Sequence, residues 1–320
     1  MFRHHRHHLG LAATLLVLLA AGAPAASART VLSGAYAGNG SPARAKSFGR
    51  WRHRPVRIVV DYLDRDTWTD VSRPTWLLNR WASFVHHGGR LVLSVPMLIS
   101  TRDTLAQGAA GRFDGRFRAL ARQLVAHGEG RTIVRPGWEF NAGDFLWSLS
   151  KAGPDGSAEF ASYWRRLVKV MRSVRGAHFK FDWTVNLGSS PTPAEHAWPG
   201  RRWVDYIGVD AYDFGWAADG GPIPNAAVRW RQIEKESHGL AWWHRFARHH
   251  RRPISVPEWG LSSRPDGHGG GDDPYYIERM HSWFARVKPA YECYFNAGTS
   301  VITGARYPRA ARTYIRLWRR

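Results

Sequence analysis

The 320-residue chain contains a single cysteine, Cys293. One thiol excludes an intrachain disulfide, and a chain of this length buries a sufficient core without one. Cys293 lies in "YECYF", an apolar strand-like run, where a small core residue is expected rather than a nucleophile. Acids are also scarce: 25 Asp and Glu face 46 Lys and Arg, for a formal net charge of +21. The chain has no C2H2 spacing and no aromatic RNP run, so the excess charge does not mark a nucleic-acid module. The basic residues are spread through helical segments such as "WRRLVKVMRSVR", the pattern of a solvated basic surface. No G-x-S-x-G and no H-E-x-x-H occurs, which excludes those nucleophile and zinc chemistries. The His pairs at 86–87 and 249–250 are adjacent, a spacing unsuited to metal ligation, and no metal or cofactor is implied.

Only the start of the chain carries a long apolar stretch. "MFRHHRHH" is a positive segment, "LGLAATLLVLLA" an apolar one, and "AASA" offers a small-residue cleavage site after Ala28. This is the order of a signal peptide, residues 1–28, and the run is too short for a spanning helix. The expected product is residues 29–320, secreted or associated with the cell envelope, with a retained anchor as the alternative. No later segment reads as transmembrane.

Strand-like and helix-like segments then alternate. Short β-branched or aromatic runs occupy 31–38, 56–63, 89–99, 131–140, 178–186, 203–214, 252–260 and 290–297. Between most of them lie segments with apolar spacing of three and four, such as "FRALARQLVAHG" and "PYYIERMHSWFARV". Strands separated by helix-length segments imply parallel βαβ units. Eight of them match an α/β fold, a single (β/α)8 TIM barrel spanning 29–320. An open doubly wound sheet would show a Gly-rich phosphate turn. "GAYAGNG" has the wrong glycine spacing, and no clear helix follows it.

In such barrels functional groups sit at the carboxyl ends of strands. That rule selects two glutamates. Glu139 closes the fourth strand in "RPGWEFN" and Glu258 closes the seventh in "SVPEWGL"; Glu159, Glu234, Glu236 and Glu278 fall in helices. Two carboxylates across a barrel mouth suit glycoside hydrolysis, where one must be protonated and the other ionised. The aromatic setting of Glu139 disfavours its charge, as an acid/base requires. Seventeen tryptophans accompany them, and Trp51, Trp138, Trp147, Trp183, Trp198, Trp216 and Trp259 lie near loop-like ends. Flat rings there are expected to line a sugar-binding groove, above all Trp138, Trp147, Trp216 and Trp259. Asn141 and Asn186 are candidates for sugar hydroxyls or helix caps. Arg135, two-period with Glu139, should face the barrel interior, where it needs a carboxylate such as Asp61 or Asp210. Asp210 is also a candidate substrate ligand, Asp210 and Asp213 flank Tyr212 and are placed to orient it, and Glu292 is a third carboxylate.

These motifs carry a resemblance. "RPGWEFNAGDFLW" resembles the RP-x-x-E-x-N-G-x-x-x-x-W run of glycoside hydrolase family 26, the β-mannanases and related β-glycanases of clan A. "VDYIGVDAYDF" resembles that family's sixth strand and "PISVPEWG" its nucleophile strand. The resemblance implies a retaining enzyme with Glu139 as acid/base, Glu258 as nucleophile and Tyr212 as a hydrogen-bond partner of the nucleophile. The chain departs from the family in three places: Trp138 stands where His is common, Ala142 is inserted before Gly143, and Trp259 replaces the usual Phe. The expectation is a secreted, monomeric retaining glycoside hydrolase acting on a β-linked polysaccharide of mannan or glucan type. Its rivals are a non-catalytic carbohydrate- or envelope-binding barrel, and a hydrolase of an acidic exopolysaccharide that exploits the positive field.

Overall fold

The β-branched and aromatic runs pair in sequence order. In the computed structural model, which describes Met1 and residues 31–188, 190–217 and 221–319, eight parallel strands form a closed barrel. They are β1 (Leu32–Tyr36), β2 (Ile58–Tyr62), β3 (Arg90–Val95), β4 (Ile133–Pro136), β5 (Lys180–Asn186), β6 (Tyr206–Tyr212), β7 (Ile254–Gly260) and β8 (Tyr291–Phe295). β8 closes on β1 in register from Leu32↔Tyr291 to Tyr36↔Phe295. The (β/α)8 expectation is met, and from Val31 on the described residues form one unit. Residues 2–28 of the expected leader lie outside the described residues. No helix among the described residues is long and apolar enough to cross a membrane.

Strand alternation sorts the side chains into two layers. Ile58, Val60, Val92, Ile133, Tyr291 and Cys293 pack together inside the barrel; Cys293 is thus a buried core thiol. The opposite faces of the strands, with Val59, Leu91, Leu93, Val134 and Val209, meet the helices in a second, larger core.

The helices are α1 (Pro42–Trp51), α2 (Trp68–Ser72), α3 (Thr75–His86), α4 (Leu105–Ala110), α5 (Asp114–Ala126), α6 (Gly156–Arg172), α7 (Ala226–Lys235), α8 (Leu240–His249), α9 (Pro274–Val287) and α10 (Pro308–Trp318). Two differ from expectation. A helix does follow "GAYAGNG": α1 begins two residues later and buries only Ala45, Phe48 and Gly49, too short an apolar stripe to register. The run "AAVRWRQIEKESHGLAWWHRFARHH" is two helices rather than one. The first ends at Lys235, where Glu236 turns extended, and Gly239 is the N-cap of the second. A Cβ at Gly239 would lie 2.8 Å from the Ile233 carbonyl oxygen, so the tight turn between them needs glycine.

One buried group is costly. Glu129, in the turn between α5 and β4, is 1% exposed, and neither carboxylate oxygen has a hydrogen-bond partner. Burial raises its pKa to about 8. Below about pH 4 both folded and unfolded states hold its proton. As pH rises toward about 8 the unfolded chain ionises first, and folded stability is lost across that window. Glu129→Met should therefore stabilise the protein by about 2–4 kcal/mol at pH 8 relative to its effect at pH 4. Urea unfolding at the two pH values measures this, and an equal difference at both would contradict it.

Candidate active site

Arg135 points into the barrel from β4 and reaches four other strands. Its Nε donates to Thr184 Oγ1 (3.1 Å) and Nη1 to Ser94 Oγ (3.1 Å) and Glu258 Oε1 (2.6 Å), while Nη2 pairs with Asp210. Of the two expected carboxylate partners, Asp210 is therefore the one used. Asp61 faces outward from β2 and instead accepts from Gly40 N and Trp81 Nε1. Burial opposes the Arg135 charge, but Asp210 and Glu258 outweigh it and hold the guanidinium protonated. Asp210 is consumed by this ion pair and is nearly inaccessible, so it is a support of the site rather than a substrate ligand.

Glu258 owes its direction to an irregularity. Along β7, Ser255 faces inward and bonds Asp182. Strict alternation from Ser255 would turn Glu258 out and Trp259 in. The strand instead carries one extra residue against both neighbours: Gly208↔Ser255 is followed by Ala211↔Trp259 on β6, and Val256↔Glu292 by Trp259↔Tyr294 on β8. Such a bulge flips every later side chain, and Pro257, with no N–H to pair, sits within it. Glu258 then accepts from Arg135 and, through Oε2, from the Tyr212 hydroxyl at 2.7 Å.

Glu139 is also placed by irregular backbone. It does not close β4, which ends at Pro136, but lies three residues beyond in a turn. Gly137 and Glu139 both have φ of 51°, and a left-handed backbone at a glutamate costs on the order of 1–3 kcal/mol. The turn is held by Glu139 N–H donating to Thr184 O (3.0 Å) and Ala142 N–H to Glu139 O (2.8 Å). The inserted Ala142 thus helps to close it. Asn186 Nδ2 donates to Glu139 Oε1 at 2.6 Å. Asn141 exchanges two hydrogen bonds with the Asn186 backbone and is buried, so it positions Asn186 and neither caps a helix nor lines the cleft. Burial raises the Glu139 pKa, the nearby Glu258 charge raises it further, and Arg135 and the Asn186 hydrogen bond pull it back, leaving it at about 7.

Both glutamates line one open cleft of about 490 Å³, walled by Tyr36, Tyr62, Trp138, Phe145 and Phe295, with Asp64, Arg65 and Asp66 at its side. Trp138 is the only one of the four expected groove tryptophans in that wall. Trp147 is buried behind it, stacked on Phe145 and donating from Nε1 to Trp138 O (2.9 Å). Trp259, flipped outward by the bulge, is 0% exposed and packs on Phe284 of α9 and Tyr314 and Trp318 of α10. Trp183 is core as well. Trp216 is 52% exposed; it stacks on His268 and leads through Phe214 to Tyr212. Glu292 is not a third site carboxylate. It faces the outer layer and accepts from Trp259 Nε1 (2.6 Å) and Trp318 Nε1 (3.1 Å). Asp213 does not orient Tyr212; it pairs with Arg229, which also binds Asp273. The wall residues Tyr36, Tyr62 and Phe295 were missed, although each is an aromatic at the carboxyl end of an inward-facing strand position.

Comparison with known proteins agrees with the barrel fold. The model of glycosyl hydrolase family 26 matches residues 108–223. Three similar solved structures are a Bacteroides ovatus GH26 β-mannanase (15% identity, 91% of this chain and 88% of that one, TM-score 0.63), GH26C of a Muricauda species (14%, 90% and 85%, 0.64) and the Bacillus subtilis mannanase BCman (14%, 88% and 84%, 0.59). Over residues 108–223 the chain is similar to glycosyl hydrolase family 26. Endoglucanase H of Acetivibrio thermocellus is 24% identical over 181 residues, which are 55% of this chain, and the match spans only 19% of that relative's length. The family match takes in Glu139, Asn186, Asp210 and Tyr212 and ends before Glu258. In this family 26-like chain the placement of the second carboxylate is therefore carried by the bulge in β7 and the bonds from Arg135 and Tyr212.

The same bonds make a stability prediction. Arg135→Ala leaves Asp210 and Glu258 buried without a counter-charge and should cost about 3–5 kcal/mol. Denaturant unfolding at pH 7 measures it, and a loss below about 1 kcal/mol would show that the carboxylates do not depend on Arg135.

Proposed function

We propose that the protein is a secreted, monomeric, retaining glycoside hydrolase that cleaves a β-linked polysaccharide of mannan or glucan type, released from a leader at residues 1–28. Glu139 is the acid/base and Glu258 the nucleophile. The observation that carries this reading is the sharing of one cleft by two unlike carboxyls: Glu139 holds a proton up to about pH 7, whereas both oxygens of Glu258 accept hydrogen bonds. The naming of similar structures as mannanases and of a relative as an endoglucanase supports both candidate backbones.

In the first step a Glu258 oxygen attacks the anomeric carbon while Glu139 protonates the departing glycosidic oxygen. Arg135 and Tyr212 position Glu258 for the attack. Once Glu258 is esterified its charge is gone, and with it a cause of the raised Glu139 pKa. Glu139, having given up its proton, then takes one from the water that attacks the glycosyl ester. Trp138 walls the sugar site, and exposed Trp216 offers a ring platform beyond Tyr212.

Reducing-sugar release from β-mannan and β-glucan tests the reading. Glu258→Ala should be inactive on every substrate. Glu139→Ala should retain the first step on an activated aryl glycoside, whose leaving group needs little protonation, and azide should restore its second step. Undiminished turnover in both variants would place the chemistry elsewhere, and no turnover in the wild type would favour a binding barrel.

Assigning the alkaline limb of the pH profile to Glu139 gives a separate test. Glu139 must be protonated for the first step, so kcat/KM should fall as pH rises through about 7. Asn186→Ala removes a hydrogen bond that lowers this pKa, and the limb should move to higher pH. A limb unmoved in Asn186→Ala would contradict the assignment to Glu139.

A further inference from the structure

On the outer surface beside the β2 end of the mouth, α2 and α5 enclose a hollow of about 500 Å³. Three arginines line it: Arg73 after α2, and Arg112 and Arg116 at the start of α5. Thr69 and Ser72 form the other wall; Thr69 is exposed, whereas the Ser72 hydroxyl donates to Thr69 O (3.5 Å). Gly115, Arg116 and Ala119 share one face of α5, Arg112 lies in the turn before it, and the two small residues leave room beside Arg116. A Cβ on Gly115 would meet nothing within 4 Å.

No carboxylate lines this hollow, and among the described residues none of the three arginines is in an ion pair. The acids nearest in sequence are engaged elsewhere. Asp70 caps α2 through Thr67, Asp103 accepts from Trp68 Nε1, and Asp114 pairs with Arg166. All three arginines are solvent-exposed, and an anion among them would relieve a like-charge repulsion that salt screens. Guanidinium forks and hydroxyls together are the donor set that recognises an oxyanion.

The hollow is joined to the cleft by shared walls. Arg73 also lines a smaller depression with Asn39, Asp64, Asp70 and Trp76, and that depression shares Tyr62, Leu63 and Asp64 with the cleft that holds the glutamates. Trp76 is 55% exposed, a second ring platform on this path. Asp64 and Asp66 near the cleft disfavour an anion there, so a negative group is directed to the far end of the path.

We propose that the hollow between α2 and α5 is a remote subsite for a carboxylate borne by the glycan whose backbone occupies the cleft. The inference rests on the hydrolase reading and narrows its substrate to a β-glycan with acidic substituents, several sugar units from the bond that is cut. Arg73, Arg112 and Arg116 bind the substituent, and Trp76 supports the intervening sugars.

The test compares β-glucan and β-mannan with their carboxymethyl derivatives, using the full chain, an Arg112→Ser/Arg116→Ser double variant, and Gly115→Glu. The last variant places a carboxylate in the hollow at the first turn of a helix, where an acid is favoured, and so should fold. Both variants should raise KM on the carboxymethyl polymer about 3- to 10-fold, as expected for losing one or two exposed ion pairs. They should leave KM on the neutral parent unchanged, and raised ionic strength should erase the difference. Equal KM on the charged polymer for wild type and both variants would overturn the subsite while leaving the hydrolase reading intact. Retention on immobilised carboxymethyl polymer by Glu258→Gln protein supplies a readout without turnover. Arginine-dependent retention with no hydrolysis by the wild type would keep the subsite and remove the hydrolase reading. Inorganic phosphate bound as tightly as the polymer, and lost in both variants, would make the hollow a small-anion site and overturn the glycan assignment.

Discussion

A guanidinium buried inside a β-barrel must be matched by carboxylates, and that constraint organises this molecule. Arg135 is fully buried, and its five donors leave little freedom in where partners lie. Ser94, Thr184, Asp210 and Glu258 come from β3, β5, β6 and β7 to meet it. The network continues below: Thr184 donates to Asp182, which also accepts from Ser255 and Tyr291. The interior toward β5, β6 and β7 is therefore filled by polar side chains of fixed geometry, whereas β2, β3, β4 and β8 contribute the apolar residues Ile58, Val60, Val92, Ile133, Tyr291 and Cys293. Gly208 belongs to the same design, since a Cβ there would lie 2.4 Å from Asp182 Oδ1.

Both candidate glutamates reach the mouth by departures from regular structure. Glu258 is turned inward by an extra residue in β7, and Glu139 by a left-handed turn after β4. Each departure has a local cost that the surroundings hold in place. Trp259, sent outward by the same bulge, is locked by Glu292 and the aromatic rings of α9 and α10. The Glu139 turn is tied to Thr184 on β5, and Thr184 is in turn a partner of Arg135. The geometry of the candidate site and the packing of the core are thus coupled through a few named residues.

Regular features were legible in the sequence, and irregular ones were not. Short apolar runs separated by amphipathic segments sufficed for eight strands and the barrel, because period and length alone decide them. The positions of Glu258 and, three residues past its strand, Glu139 were legible from proximity to strand ends. The need to neutralise buried Arg135 narrowed its partner to Asp61 or Asp210, and Tyr212 was legible only through the family resemblance. Trp259 and Glu292 were misplaced because a one-residue bulge exchanges the two faces of a strand and leaves no clear mark in composition. Trp147 was misplaced because a loop can fold its aromatic residues back upon themselves. Tyr36, Tyr62 and Phe295 carry a signal that does not depend on tryptophan, an aromatic at the mouth end of each of three neighbouring strands.

The central claim is that Glu258, held by Arg135 and Tyr212, is the group that bonds to the sugar. A 2-deoxy-2-fluoro glycosyl donor with an activated leaving group, matched to the preferred backbone, would trap the esterified enzyme, and peptide mapping by mass spectrometry would locate the label. The expected result is one sugar on the peptide containing Glu258, with none formed in Glu258→Ala. A label on Asp210, Glu292 or Glu139 would contradict the account.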